Sequence, residues 1–133
     1  MSLLSTLKSL FASAPRATPT EAAARVRAGT AVLVDVREPG EWAGGVADTA
    51  ALLPLSDLRG ARTRWKPFLD QLAGREIIVY CASGLRSGLA AKLLVSEGHR
   101  ATNAGGLAGW ANSGWSIVSP SARMNPARKK GTP

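Results

Sequence analysis

The sequence predicts one α/β domain built on an open parallel sheet, and three observations carry that prediction. Two short, nearly unbroken apolar runs, residues 31–36 (AVLVDV) and 77–80 (IIVY), have the length and composition of strands covered on both faces. Segments with helix start and stop signals alternate with these runs, the pattern of strand–helix–strand units. The chain has 133 residues, 45 % hydrophobic and 20 % charged. That is enough to bury one core and too little for two.

Thr18-Pro19-Thr20-Glu21 is a capping box with proline at the first helical position. A helix therefore starts there, runs through an alanine-rich stretch to Ala28 and stops at Gly29. The strand at 31–36 follows. Glu38-Pro39-Gly40 turns the chain, and Glu41-Trp42 open a short helical turn. Residues 43–55 are small and irregular, with a brief strand expected at Leu52-Leu53. Ser56 is expected to cap a helical region, interrupted at Pro67, that reaches Leu72 before Gly74 stops it. The strand at 77–80 runs into a glycine-containing loop, Cys81 to Arg86. The next helix is expected to start near Ser87, to turn Leu89, Leu93 and Leu94 to one face and to end at Gly98. Residues 100–103 read as a short edge strand. Gly105-Gly106 then break the chain ahead of a short helix holding Trp110; Trp42, Trp65, Trp110 and Trp115 are assigned to packing.

The net charge of +8 sits mostly on the ends. Residues 1–19 carry Lys8 and Arg16, residues 119–133 carry Arg123, Arg128, Lys129 and Lys130, and neither stretch holds an acid; between them lie 11 bases and 9 acids. Such a distribution solubilises the ends rather than marking a nucleic-acid surface. Residues 1–17 form an amphipathic N-terminal segment, with Leu3, Leu4, Leu7, Leu10 and Phe11 at helical spacing. Residues 18–118 form the folded domain, and 119–133 read as a basic disordered tail. Ala12-Ser13-Ala14 resembles a cleavage box. No basic stretch precedes it, Lys8 interrupts the apolar run and Pro15 follows, so no signal peptide is expected. No run approaches the roughly 20 apolar residues of a membrane span. A cytoplasmic location is expected. One cysteine and one histidine, His99, exclude an internal disulfide and a thiolate zinc site, so neither metal nor cofactor is expected.

The chemistry concentrates at Cys81. In open parallel sheets ligands sit just beyond the carboxyl ends of strands, where this cysteine stands. Residues Ala82, Ser83, Gly84, Leu85 and Arg86 can curl so that their N–H groups face inward, and the helix beginning near Ser87 adds its positive end. Arg86 is expected to add a full charge. All three favour thiolate over thiol and predict a depressed Cys81 pKa. A free cysteine is usually just a small buried apolar side chain; a loop of small residues ahead of a helix is an unusual place for one. His99 lies beyond the far end of that helix and is no partner for the thiol. Of the charged cluster Asp35, Arg37, Glu38 and Glu41, Asp35 and Arg37 are read as a pair that pins neighbouring loops. The competing reading puts Arg37 at the pocket mouth.

Four segments resemble the rhodanese-like domains: LVDVREPGEW at 33–42, the stretch ending in Leu53-Pro54-Leu55, IIVYCASGLRS at 77–87 and NAGGLAGW at 103–110. They follow the family's order, and the resemblance as a whole spans about residues 18–118. The resemblance implies a three-layer α/β fold with a parallel sheet of about five strands flanked by helices. It also implies transfer of sulfane sulfur from thiosulfate or a persulfide to cyanide, a small thiol or a protein cysteine, through a persulfide on Cys81. The loop 82–87 would bind the small anionic donor, with Asp35 and Arg37 in support. The six residues from Cys81 to Arg86 match the sulfurtransferases; phosphatase relatives carry one more. A non-catalytic interaction module and a dedicated sulfur carrier are the alternatives, and phosphatase or arsenate reductase chemistry ranks below them. The family's His-Ile-Pro-Gly segment is replaced here by Val46, Ala47, Asp48 and Thr49. Uncharged Ala82 and Ser83 suggest that thiosulfate is a poorer donor than a persulfide.

Overall fold

Side-chain direction along two buried strands sets the layers. The computed structural model describes residues 14–124. In β1 (Ala31–Asp35) all five residues are buried: Val32 and Val34, with Val36 beyond, enter one core, while Ala31 and Leu33 enter the other. In β4 (Glu76–Cys81), Ile77, Val79 and Cys81 join Leu58, Trp65, Leu72 and Leu94, and Ile78 and Tyr80 join Ala22 and Trp110. Alternate residues point to opposite faces and both faces are covered, which is why these strands read as unbroken apolar runs.

The central sheet is wholly parallel, in the order β3-β1-β4-β5, with β3 at Ala51–Leu52 and β5 at Ala101–Gly106. It has four strands, which corrects the expected five. The fifth position, beyond β5, holds one bridge: Ala17 N–H donates to Asn103 O at 3.1 Å and Asn103 N–H to Pro15 O at 3.0 Å. Pro15 has no N–H to carry the ladder further, and the capping box then turns the chain. In α1 (Pro19–Arg27) Glu21 N–H donates to Thr18 Oγ1 and Thr18 N–H to Glu21 Oε1, as the sequence predicts. A separate antiparallel ribbon, β2 (Val46–Ala47) with β6 (Ile117–Val118), was not anticipated.

The short helical turn expected at Glu41-Trp42 is α2 (Pro39–Trp42). Two other helices differ from expectation. The region 56–72 is two helices, α3 (Leu55–Leu58) and α4 (Trp65–Asp70), broken at 59–64 rather than at Pro67. Pro67 is the third residue of α4, where a helix needs no N–H donor. The break is fixed by the Asp57 carboxylate, which accepts from the N–H groups of Thr63, Arg64 and Trp65 at 2.9–3.0 Å. Ser56 lies inside α3 and donates to Glu38 Oε1. α5 (Leu85–Ser96) buries Ser87, Ala90, Ala91 and Leu94 and packs Leu93 against the same core, so the expected face holds for Leu93 and Leu94 but not for Leu89, which is exposed. Alanines let the helix approach β4 and β5 closely.

α6 (Leu107–Asn112) holds the buried Trp110. Past Val118 the chain keeps contact with the domain. Pro120–Ala122 form a 3₁₀ turn, Arg123 Nη1 donates to Ala50 O and Met124 N–H to Asp48 Oδ1, both at 2.9 Å. The leucine stretch ending in Phe11 and the cluster Arg128, Lys129 and Lys130 lie outside the described residues. Among the described residues no helix is long and apolar enough to cross a membrane.

Candidate functional site

Cys81 is the last residue of β4, and its parity turns the side chain toward α5. It is buried. Gly84 N–H donates to its Sγ at 3.0 Å, and the Ser87 hydroxyl lies 3.4 Å from the same atom. Gly84 adopts φ 96°, a left-handed conformation costly for other residues, and this bend turns the loop's N–H groups inward. α5 begins at Leu85, two residues earlier than expected, so the N–H groups of its first turn line the sulfur's surroundings. Burial pushes the Cys81 thiol up. Hydrogen bonds from the Ser87 hydroxyl and from the N–H groups of Ser87, Ser83 and Gly84 outweigh burial and hold the pKa below the ordinary value. The expected depression therefore arises from hydrogen bonding.

Arg86, foreseen as a charge near the thiol, interacts electrostatically with Cys81 but is paired first with a carboxylate. Its guanidinium forks onto Glu41, with Nη1–Oε1 at 2.5 Å and Nη2–Oε2 at 2.8 Å. The Arg86 hydrogen bonds bring the Glu41 pKa down to about 2, and the carboxylate raises that of Arg86. Ala82 and Ser83 form the exposed outer turn, Leu85 projects into solvent and Ser87 is buried.

Asn103 is the site residue that sequence reasoning missed. Its Oδ1 accepts from the Ser87 hydroxyl at 2.7 Å and from Gly105 N–H at 3.2 Å, and its Nδ2 donates to Gly84 O at 3.0 Å. It thereby ties the loop and α5 to β5. The available signal was a polar residue within a strand of small ones. The pairing of β4 with β5 shifts register between Val79 and Cys81, and the shift sets Gly106 opposite Cys81.

Asp35 and Arg37 form a buried pair at the end of β1, and Arg37 is not at a pocket mouth. Arg37 donates from Nε and Nη2 to Asp35, from Nη2 to Gly45 O at 2.7 Å and from Nη1 to Glu41 O. Burial works against the Arg37 charge, but the hydrogen bonds and charge of Asp35 raise its pKa overall. Tyr80 donates to Asp35 Oδ2 at 2.6 Å and accepts from Ala47 N–H at 2.9 Å. Burial, followed by the Asp35 charge, pushes its pKa up. Val46 and Ala47, where the family's His-Ile-Pro-Gly stands, form β2. His99 follows α5 at the end remote from Cys81, about 18 Å of helix away. No cluster of metal-ligating side chains occurs among the described residues.

The Ser87 hydroxyl has one proton for three acceptors, Asn103 Oδ1, Cys81 Sγ and Gly105 O. Ser87→Ala removes the largest bond-derived lowering of the Cys81 pKa. Thiolate absorbance should then titrate at higher pH than in the parent, with the alkaline rise of activity displaced the same way. Coincident titrations would show that the N–H groups alone hold the thiolate.

The sequence matches the family of the rhodanese-like domain over residues 18–113, most of the chain. The chain belongs to the rhodanese-like family. It is 37 % identical over 91 residues to a sulfurtransferase of Allochromatium vinosum, covering 67 % of this chain and 79 % of that protein. Among solved structures, a rhodanese-related protein of Thermoplasma volcanium matches with a TM-score of 0.64 at 26 % identity, covering 78 % of this chain and 97 % of its own. A Rhodopseudomonas palustris protein of unknown function, described as a possible tyrosine phosphatase, matches with a TM-score of 0.68 at 27 % identity, covering 89 % and 95 %. The rhodanese-like sheet and the cysteine loop both fall inside the matched residues.

Proposed function

We propose that this rhodanese-like domain is a sulfurtransferase that carries sulfane sulfur on Cys81. The observation supporting this is a thiol whose pKa is lowered by N–H donors and a hydroxyl at the end of a parallel strand. The Cys81 thiolate attacks the outer sulfur of thiosulfate or of a persulfide. The donor's S–S bond breaks, sulfite or a thiolate leaves with the electron pair, and Cys81 holds the persulfide. Cyanide or a thiolate then attacks the outer sulfur, and the electron pair of the Cys81 S–S bond returns to Sγ. Hydrogen bonds that lower the thiol's pKa favour the attacking thiolate and reduce the need for a general base. Donors in the loop 82–87 stabilise the anionic sulfur as an oxyanion hole stabilises oxygen. Cys81 is covered at rest, so a donor reaches Sγ only when the atoms around it move. With no charge at either residue, a persulfide is the preferred donor over thiosulfate. A reducing cytoplasm suits a chemistry that depends on a free thiol.

Exposure to thiosulfate or glutathione persulfide should add about 32 Da, one sulfur, to Cys81 by this covalent step. Cys81→Ser should gain nothing and lose all transfer to cyanide. An unmodified parent, or a variant that still turns over, would overturn the proposal. The phosphatase description of the R. palustris protein favours a second reading. Against it, the Arg86 fork needed to clamp a phosphate is engaged by Glu41. Hydrolysis of an aryl phosphate that disappears in Cys81→Ser would support that reading instead.

A further inference from the structure

We infer that the groove between α5 and the edge segment at Arg16 seats an acidic, apolar peptide segment whose cysteine accepts the sulfur. This rests on the sulfurtransferase reading and names the acceptor class. The groove encloses about 600 Å³, and its lining includes Arg16, Ser83, Leu85, Gly88, Leu89 and Lys92. Ser83 belongs both to the groove and to the cysteine loop, so an occupant lies against the loop that carries the nucleophile. Leu85, Leu89 and Lys92, spaced four and three apart, form one stripe along α5. Leu85 is 82 % exposed and Leu89 41 %, the exposed large apolar side chains among the described residues, and both line this groove. Gly88 adds no side chain to fill it; a Cβ there would stand 3.2 Å from Asn103 Nδ2.

Charge fixes the occupant's sign. Arg16 and Lys92 are the charged residues of the lining, and neither forms an ion pair among the described residues. Residues 1–13 and 125–133 contain no aspartate or glutamate that could neutralise them. Two positive charges flanking an apolar stripe complement a segment with acids beside a leucine-like side chain. The stripe rises about 10 Å along the helix. Cyanide and thiosulfate have no apolar surface to use it, whereas a peptide does. In the transfer, the peptide thiol gives its proton to solvent and its thiolate attacks the outer sulfur of the Cys81 persulfide. The S–S bond to Sγ breaks, its electron pair stays on Sγ, and the peptide leaves as the persulfide. No oxidant or reductant is consumed.

The test compares two cysteine peptides, one flanked by Asp, Glu and Leu and one by Lys and Leu, with cyanide as the control acceptor. Full-length protein preloaded with sulfur should transfer to the acidic peptide about tenfold faster or more, with a preference that shrinks as salt rises. In Arg16→Glu/Lys92→Glu the preference should vanish or invert while cyanide turnover stays within about twofold. Anisotropy of the labelled acidic peptide with Ser in place of its Cys reads docking on unloaded protein. Docking without any Cys81 persulfide would sink the sulfurtransferase reading and the transfer with it. Equal rates for both peptides, or equal loss with cyanide in the double variant, would overturn the groove assignment alone. So would peptides that bind only after Leu10→Asp/Phe11→Asp, because the groove would then belong to the chain's own N-terminal segment.

Discussion

Gly106→Ala is expected to slow sulfur transfer about a hundredfold while leaving the domain folded. Gly106 pairs with Cys81 across β4 and β5. A Cβ on it would lie 2.2 Å from the carbonyl oxygen of Ala82, 2.9 Å from that residue's carbonyl carbon and 3.3 Å from Ser83 Cα. All three are backbone atoms of the cysteine loop, so no side chain can swing aside. Gly106 itself has an extended backbone, φ −118° and ψ 166°, which alanine adopts freely. The substitution therefore tests contact alone: the loop must move by an ångström or more, and a displacement of that size at a reacting centre costs about a hundredfold in rate. Gly105→Ala is the control with the opposite cause. Its φ of 80° disfavours alanine, but a Cβ there meets nothing within 4 Å. Its cost should fall on stability, about 1–2 kcal/mol, and leave single-turnover transfer near the parent rate. Equal activity of the two variants would show that the approach of β5 does not hold the cysteine loop.

The same contact illustrates what the sequence could and could not convey. The two central strands were legible because burial on both faces leaves apolar runs without alternation, and α1 because its capping box is local chemistry. Cys81 was legible because a strand, a glycine and a helix start follow one another within a few residues. What escaped was set by pairs distant along the chain. Arg86 pairs with Glu41, 45 residues earlier. Asn103 braces the loop through Gly84 and Ser87, and no periodicity marks such a brace. The α3–α4 break depends on one carboxylate, Asp57, collecting three N–H groups across a turn. Leu89 was assigned inward because leucine outranks alanine in hydrophobicity. The helix instead turns Ala90 and Ala91 to the sheet, where close approach favours small residues.

Arg37→Ala should be the most destabilising single change outside the apolar cores. Asp35 is fully buried and collects the Arg37 backbone N–H at 2.8 Å, the Arg37 guanidinium and the Tyr80 hydroxyl. Removing the guanidinium leaves a carboxylate without its countercharge and frees the carbonyls of Gly45 and Glu41. Loss of one partner from a buried pair costs about 3–5 kcal/mol, which for a domain of this size lowers Tm by roughly 10–25 °C. Tyr80→Phe removes a single donor to the same carboxylate and should cost about 1–3 kcal/mol. Replacing both charges, Asp35→Asn with Arg37→Met, should recover part of the loss, since no unpaired charge remains. Because Arg37 faces Asp35 rather than the groove beside Cys81, Arg37→Ala held well below its Tm should still load sulfur on Cys81. An unchanged Tm with lost loading would reverse the assignment and make Arg37 a substrate contact.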